Sequence, residues 1–123
     1  MNTVEELKSG LANFCGTEAY HKYMPGMVLT DGALWLAQNA GCFWLMDIAW
    51  SVLGKPAVKA SGFLAVKLKK TATTKGCTVR VEDGDENLLY SEKIGYTDFP
   101  FDEYTFFVQW GGDFWVAMLT SEY

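Results

Sequence analysis

The side chains best equipped for chemistry are few and widely placed. Cys15 and His21 stand six residues apart around Gly16, a spacing that could bring a thiolate beside an imidazole. Nothing near them supplies an orienting third group or an oxyanion hole, so a surface histidine beside Tyr20 and Tyr23 is the simpler reading. Cys15, Cys42 and Cys77 are odd in number with no close pair, which fits small buried residues in a reducing cytoplasm better than a disulfide framework. One histidine and three scattered cysteines do not make a zinc site. Asp83-Gly84-Asp85-Glu86-Asn87 is acidic enough to suggest calcium, but it lacks the ligand spacing and terminal bidentate glutamate of an EF-hand loop. Asp98, Asp102 and Glu103 flank an aromatic-proline turn and are candidates for acid–base work, although the simpler reading has Asp98 capping the turn. No phosphate-cradling glycine loop or serine nucleophile elbow is present. The expectation is a non-catalytic chain with no cofactor and no metal.

Charge is segregated along the sequence. Between Ile48 and Val81 stand Lys55, Lys59, Lys67, Lys69, Lys70, Lys75 and Arg80 without one acid. From Glu82 onward only Lys93 offsets Glu82, Asp83, Asp85, Glu86, Glu92, Asp98, Asp102, Glu103, Asp113 and Glu122. The net charge of −5 repels a phosphate backbone, which argues against direct nucleic-acid binding. The segregation reads either as cross-strand pairing with solvated edges, or as an acidic surface that docks on a basic protein groove. On the second reading the binding residues are Glu82, Asp83, Asp85, Glu86, Asp98, Asp102, Glu103 and Asp113.

The elements that must position these groups follow from hydrophobic period. At 123 residues there is room for one domain with one core. Val4, Leu7, Leu11 and Phe14 mark a helix from Thr3 to Phe14, opened by a Thr3–Glu6 capping box and stopped by Gly16. An aromatic stretch from Tyr20 to Met24 is turned by Pro25-Gly26. A second helix, capped by Thr30 or Asp31 and closed by Gly54 and Pro56, is apolar nearly all round and about 34 Å long. Gln38, Asn39 and Asp47 within it argue for a buried helix rather than a membrane span.

From Gly62 the period changes to two. Strands are expected from Leu64 to Lys69, Cys77 to Glu82, Leu88 to Ile94, Tyr104 to Trp110 and Phe114 to Leu119. The layout is α+β: a helical part over 1–54, then a β-meander over 62–119, with one long buried helix packed on an antiparallel sheet of about five strands. Phe106, Phe107, Trp110, Phe114 and Trp115 cannot all face one core, so either the sheet is covered on both sides or one aromatic face is a contact surface; a homodimer through Phe107, Trp110, Phe114 and Trp115 is the simplest way to cover it. The N-terminal stretch carries no basic leader before an apolar run, which points to the cytoplasm.

Several stretches taken together resemble a known family. They are Gly16-Thr17-Glu18, Leu29-Thr30-Asp31-Gly32, the run from Leu36 to Asp47, Tyr96-Thr97-Asp98-Phe99-Pro100-Phe101-Asp102-Glu103 and the final Ser121-Glu122-Tyr123. The chain is similar to small uncharacterised bacterial proteins, a domain of unknown function frequent on plasmids, prophages and phages. Lys55 to Lys75 and Trp110 to Trp115 depart from that pattern. The resemblance implies no activity and no catalytic residue. It implies a mobile-element setting, where small acidic proteins often bind and block a host protein, with inhibitors of CRISPR–Cas effectors as the sharpest example. The expected function is non-catalytic occlusion of such a defence protein. The alternatives are a small homodimeric accessory protein, or a small-ligand or hydrolytic protein using the Asp98–Glu103 turn.

Overall fold

The capping box expected at the N-terminus is present: the Thr3 hydroxyl accepts from the Glu6 amide and the Glu6 carboxylate accepts from the Thr3 amide. It starts α1, Val4–Leu11, which buries Leu7 completely. The helix stops short of Phe14, whose ring instead leans on Trp35 at 5.9 Å. This computed structural model describes residues 3–123.

The Tyr20–Met24 stretch is a strand, β1, forming an antiparallel hairpin with β2, Met27–Thr30. Sequence period misses both, because β2 is four residues long and buried at every position, leaving no alternation to read.

The long helix expected from Asp31 to Gly54 is divided into α2, Asp31–Asn39, and α3, Phe43–Ser51. Gly41 adopts a φ of +64°, and the Cys42 amide donates back to the Ala37 carbonyl at 3.0 Å. That 6→1 bond is a Schellman end, which glycine enters without the Cβ penalty of other residues. Pro56 does not merely end a helix; it opens α4, Pro56–Ser61, at a position where its missing amide is harmless. No described helix is long and apolar enough to cross a membrane.

The remaining strands are β3, Phe63–Lys70, β4, Cys77–Glu82, β5, Leu88–Ile94, β6, Glu103–Trp110, and β7, Trp115–Leu119. The sheet has seven strands, not five, in the order β1-β2-β7-β6-β3-β4-β5. It is mixed rather than antiparallel throughout, since β2 runs parallel to β7. It is also not a simple meander, because β6 pairs with β3 on the side away from β4 and β5. The chain returns to β6 through residues 95–102, and that crossing buries Phe99 and Phe101.

All four helices pack on one face of the sheet. The core joins Leu7, Leu36, Leu45, Met46 and Val58 to Leu64, Val66, Leu68, Val79, Val81, Phe106 and Val108. The opposite face of each strand carries the alternate residues. There Val28, Val116 and Met118 pack with Phe107 and Phe114 as a cluster of their own.

Candidate functional site

The uncovered sheet face gathers aromatic and charged side chains that strand alternation turns away from the helices. Phe63 at the start of β3, Phe107 on β6 and Tyr123 at the chain's end form a closed triangle, with ring centroids 5.1, 5.5 and 5.4 Å apart. Each edge is tilted or T-shaped, the arrangement that ring quadrupoles favour. A short 3-10 turn over Thr120–Glu122 brings Tyr123 back over the sheet.

Beside the triangle the β3–β4 register sets Lys67 opposite Arg80. Two adjacent cations would repel, and Glu82, 6% exposed, resolves the conflict. Its carboxylate accepts from Lys67 Nζ at 2.9 Å and from Arg80 Nε at 3.2 Å. Lys67, then Arg80, holds the Glu82 carboxyl below its ordinary range, while Glu82 raises the Lys67 ammonium above its own. A lysine held so firmly in its charged form is unsuited to act as base or nucleophile. The β4–β5 loop forms the rim. Asp83 accepts from the amides of Asp85 and Asn87 and from the Asn87 side chain. Those Asn87 bonds, ahead of the one from Asp85, hold the Asp83 carboxyl low. Asp85 and Glu86 are exposed and take part in none of the ion pairs among the described residues. The triangle, Lys67, Glu82, Asp83 and Glu86 line a depression of about 630 Å³, and Asp85 lines the adjoining hollow beside α4 that shares Phe63.

The acids expected to form one binding surface are divided between the two ends of the sheet. Glu82, Asp83, Asp85 and Glu86 lie at the β4–β5 end, and Asp113 lies at the same end in the β6–β7 turn. Asp98, Asp102 and Glu103 lie at the other end, roughly 20 Å away by the length of a strand. Glu82 is tied to its two cations, and Glu103 faces Lys69 at 3.6 Å. Asp98 and Asp102 are exposed. The turn between them is held by Thr97, whose hydroxyl accepts from the Phe99 amide, and not by the Asp98 cap expected from sequence. Phe99 and Phe101 make that turn a plug in the core.

The four aromatics expected to share a self-association face do not share one. Phe107 and Phe114 lie on the uncovered face. Trp110 and Trp115 lean on each other at 5.6 Å, and Trp115 packs into the helix-side core. Phe63, Lys67, Arg80 and Tyr123 were not singled out as site residues. Lys67 and Arg80 are legible from alternation, since Leu64, Val66 and Leu68, and Cys77, Val79 and Val81, take the other face of their strands.

His21 and Cys15 do not form a reactive pair with a third group. His21 Nε2 lies 2.8 Å from Asp31 Oδ1, and Asp31 also accepts from the Glu18 amide. Cys15 is exposed, against the expectation of a buried thiol, whereas Cys42 and Cys77 are buried. Burial pushes the Cys42 thiol up to about 12 and raises that of Cys77, so neither is a ready thiolate. No cluster of three metal-ligating side chains occurs among the described residues.

Three of the five stretches that carry the sequence resemblance, those of Thr17, Thr30–Gly32 and Glu122, meet at the start of α2. Glu122 accepts from the Thr30 hydroxyl at 2.7 Å, the Gly32 amide at 3.2 Å and the Leu119 amide at 2.9 Å. Thr17 accepts from the Asp31 amide. A Cβ on Gly32 would stand 2.5 Å from the Glu122 carboxylate, so only glycine lets it approach. No curated protein and no solved structure shows a significant match to the chain. A family model does match, described as a family of unknown function (DUF6876), over residues 5–123, and the chain belongs to that family.

Proposed function

We propose that this chain is a non-catalytic binding protein that docks the uncovered sheet face on a basic surface of another protein. The observation that carries the reading is the depression of about 630 Å³ in which an aromatic triangle meets an acidic rim. Aromatic anchors inside a charged rim are the arrangement in which interface energy concentrates. Glu82 offsets one of the two cations Lys67 and Arg80, and Asp83, Asp85 and Glu86 outweigh the other, so the face presents net negative charge to a partner.

The partner we favour is a host defence protein, with a CRISPR–Cas effector as the sharpest case, blocked by occlusion in the cytoplasm. The mobile-element setting implied by the sequence resemblance supports this choice. So does the basic groove that any effector needs to hold nucleic acid. The test is a plasmid-interference assay in cells expressing defined effectors, with wild type and the double variant Asp85→Lys, Glu86→Lys. Wild type is expected to restore transformation, and the variant to lose that effect while folding normally. Undiminished interference by every effector, with no effector retained on the immobilised protein, would overturn the reading.

A second reading is favoured by the separate cluster of Val28, Val116 and Met118 with Phe107 and Phe114 on the same face. Apolar area of that kind suits a second copy of the chain. Light scattering on wild type and Phe114→Glu tests it: a dimer reduced to monomer by the variant supports self-association, and a wild-type monomer at all concentrations sinks it.

A further inference from the structure

We infer that the hollow between the C-terminal end of α3 and the β6–β7 hairpin binds a quaternary ammonium group. It encloses about 470 Å³ and is lined by Trp50, Trp110, Trp115, Asp113, Pro25 and Ser51, among others. That size falls within the range of small-ligand sites. Three indoles at one hollow is a large share of the chain's five tryptophans, and indole is the aromatic that attracts cations most strongly.

The rings are held in place. Trp110 and Trp115 pack against each other at 57°, a tilted contact rather than a flat stack. Trp115 is nearly buried, whereas Trp110 is 46% exposed at the end of β6. Trp50 donates its Nε1 to the Pro25 carbonyl at 3.0 Å, so its single polar atom is satisfied within the protein.

Charge favours a cation. Asp113 is exposed and engaged by no ion pair among the described residues. No lysine or arginine lines the hollow. Lys55, close in sequence, places its ammonium over the Tyr90 ring at 5.6 Å. Trp50 and Ser51 end α3, so the negative pole of that helix borders the site. Indole faces accept no N–H hydrogen bond, so a primary ammonium would depend for all three of its donors on Asp113 and the carbonyl end of α3. A trialkylated ammonium needs no such acceptor: it carries diffuse charge on an apolar surface and asks only for π faces and a carboxylate nearby. An anion would be repelled by Asp113. The inference stands apart from the docking face and does not depend on it.

The test is a fluorescence titration of the full chain with choline and with 3,3-dimethylbutan-1-ol, which has the same shape without the charge. Choline is expected to change the tryptophan emission saturably, with the neutral isostere weaker by on the order of tenfold. Asp113→Asn should weaken choline about threefold or more by removing the carboxylate. Trp110→Leu, at an exposed position that tolerates the change, should abolish binding while circular dichroism stays the same. Choline that never saturates, an isostere that binds equally well, or wild-type affinity in Trp110→Leu would each overturn the inference. Sedimentation with phosphatidylcholine vesicles, competed by choline, would identify a lipid headgroup as the source. Binding of choline without vesicle binding would identify a free methylated amine.

Discussion

Glu86 is the one non-glycine residue among those described with a positive φ, +66°, and it sits on the rim of the proposed docking face. A side chain in that region carries strain of about 1 kcal/mol that glycine would avoid. Glu86→Gly is therefore expected to raise stability by about 1 kcal/mol in urea unfolding and to weaken the partner complex. A variant that is no more stable than wild type would show that the loop relaxes around the glutamate. The nearby Glu82 makes a pH prediction. Its carboxyl is held low by Lys67 and Arg80, that of Asp31 by His21, and that of Asp83 by Asn87. Each folded pKa lies below its unfolded value, so the stabilisation is complete above the unfolded values and drains away as pH falls through the folded ones. The unfolding midpoint should fall steadily from about pH 5 downward, and Glu82→Gln should flatten that fall. An unchanged slope in the variant would mean the cluster adds nothing to stability. At this scale the sequence shows which groups can cap, as with Thr3, Glu6 and Thr30. It does not show that Glu82 lies beneath two cations, because that follows from a strand register 15 residues apart.

The break between α2 and α3 shows why elements are harder to read than caps. The run from Asp31 to Leu53 has no proline and is apolar on nearly every side, so its period continues through Gly41, where the Ala40-Gly41 pair signals a close approach or a local bend but not an end. Only the left-handed φ of Gly41 divides it, and glycine can equally sit inside a helix. Gly41→Ala should cost about 1 kcal/mol by forcing a Cβ into that conformation, measured by chemical denaturation. A neutral result would mean that the two helices fuse as the period suggests. The start of α2 depends on a different element, the closing 3-10 turn, whose Glu122 serves the Thr30 hydroxyl and two amides. Glu122→Ala strands those donors and should cost about 1–3 kcal/mol, as read from the thermal midpoint, with Glu122→Gln between the two. The motifs near Thr30 and at Ser121-Glu122-Tyr123 are visible in the sequence as words. Their meeting across 92 residues is not, since it requires β2 and β7 to lie parallel.

At the scale of the molecule, strand direction decides what the segregated charge can do. Each antiparallel strand carries the chain to the opposite end of the sheet, so the connections before and after β5 cannot merge their acids into one patch. Placing β6 on the far side of β3 still leaves the β4–β5 loop at one end of the sheet and the 95–102 crossing at the other. The two acidic groups are then roughly 20 Å apart, beyond the screening length of about 8 Å in physiological salt. They act as independent charges, so reversal at one end is scarcely felt at the other. Asp85→Lys with Glu86→Lys should abolish docking and remove most of its salt dependence, because Glu86 lines the aromatic depression and Asp85 the hollow that adjoins it at Phe63. Asp98→Lys, Asp102→Lys and Glu103→Lys together should leave affinity within about threefold and lower mainly the association rate. Binding of an effector retained by wild type, measured on both immobilised variants at two salt concentrations, separates the outcomes. If the triple variant loses binding and the double variant keeps it, the interface is the Asp98–Glu103 end, and the aromatic depression serves another purpose.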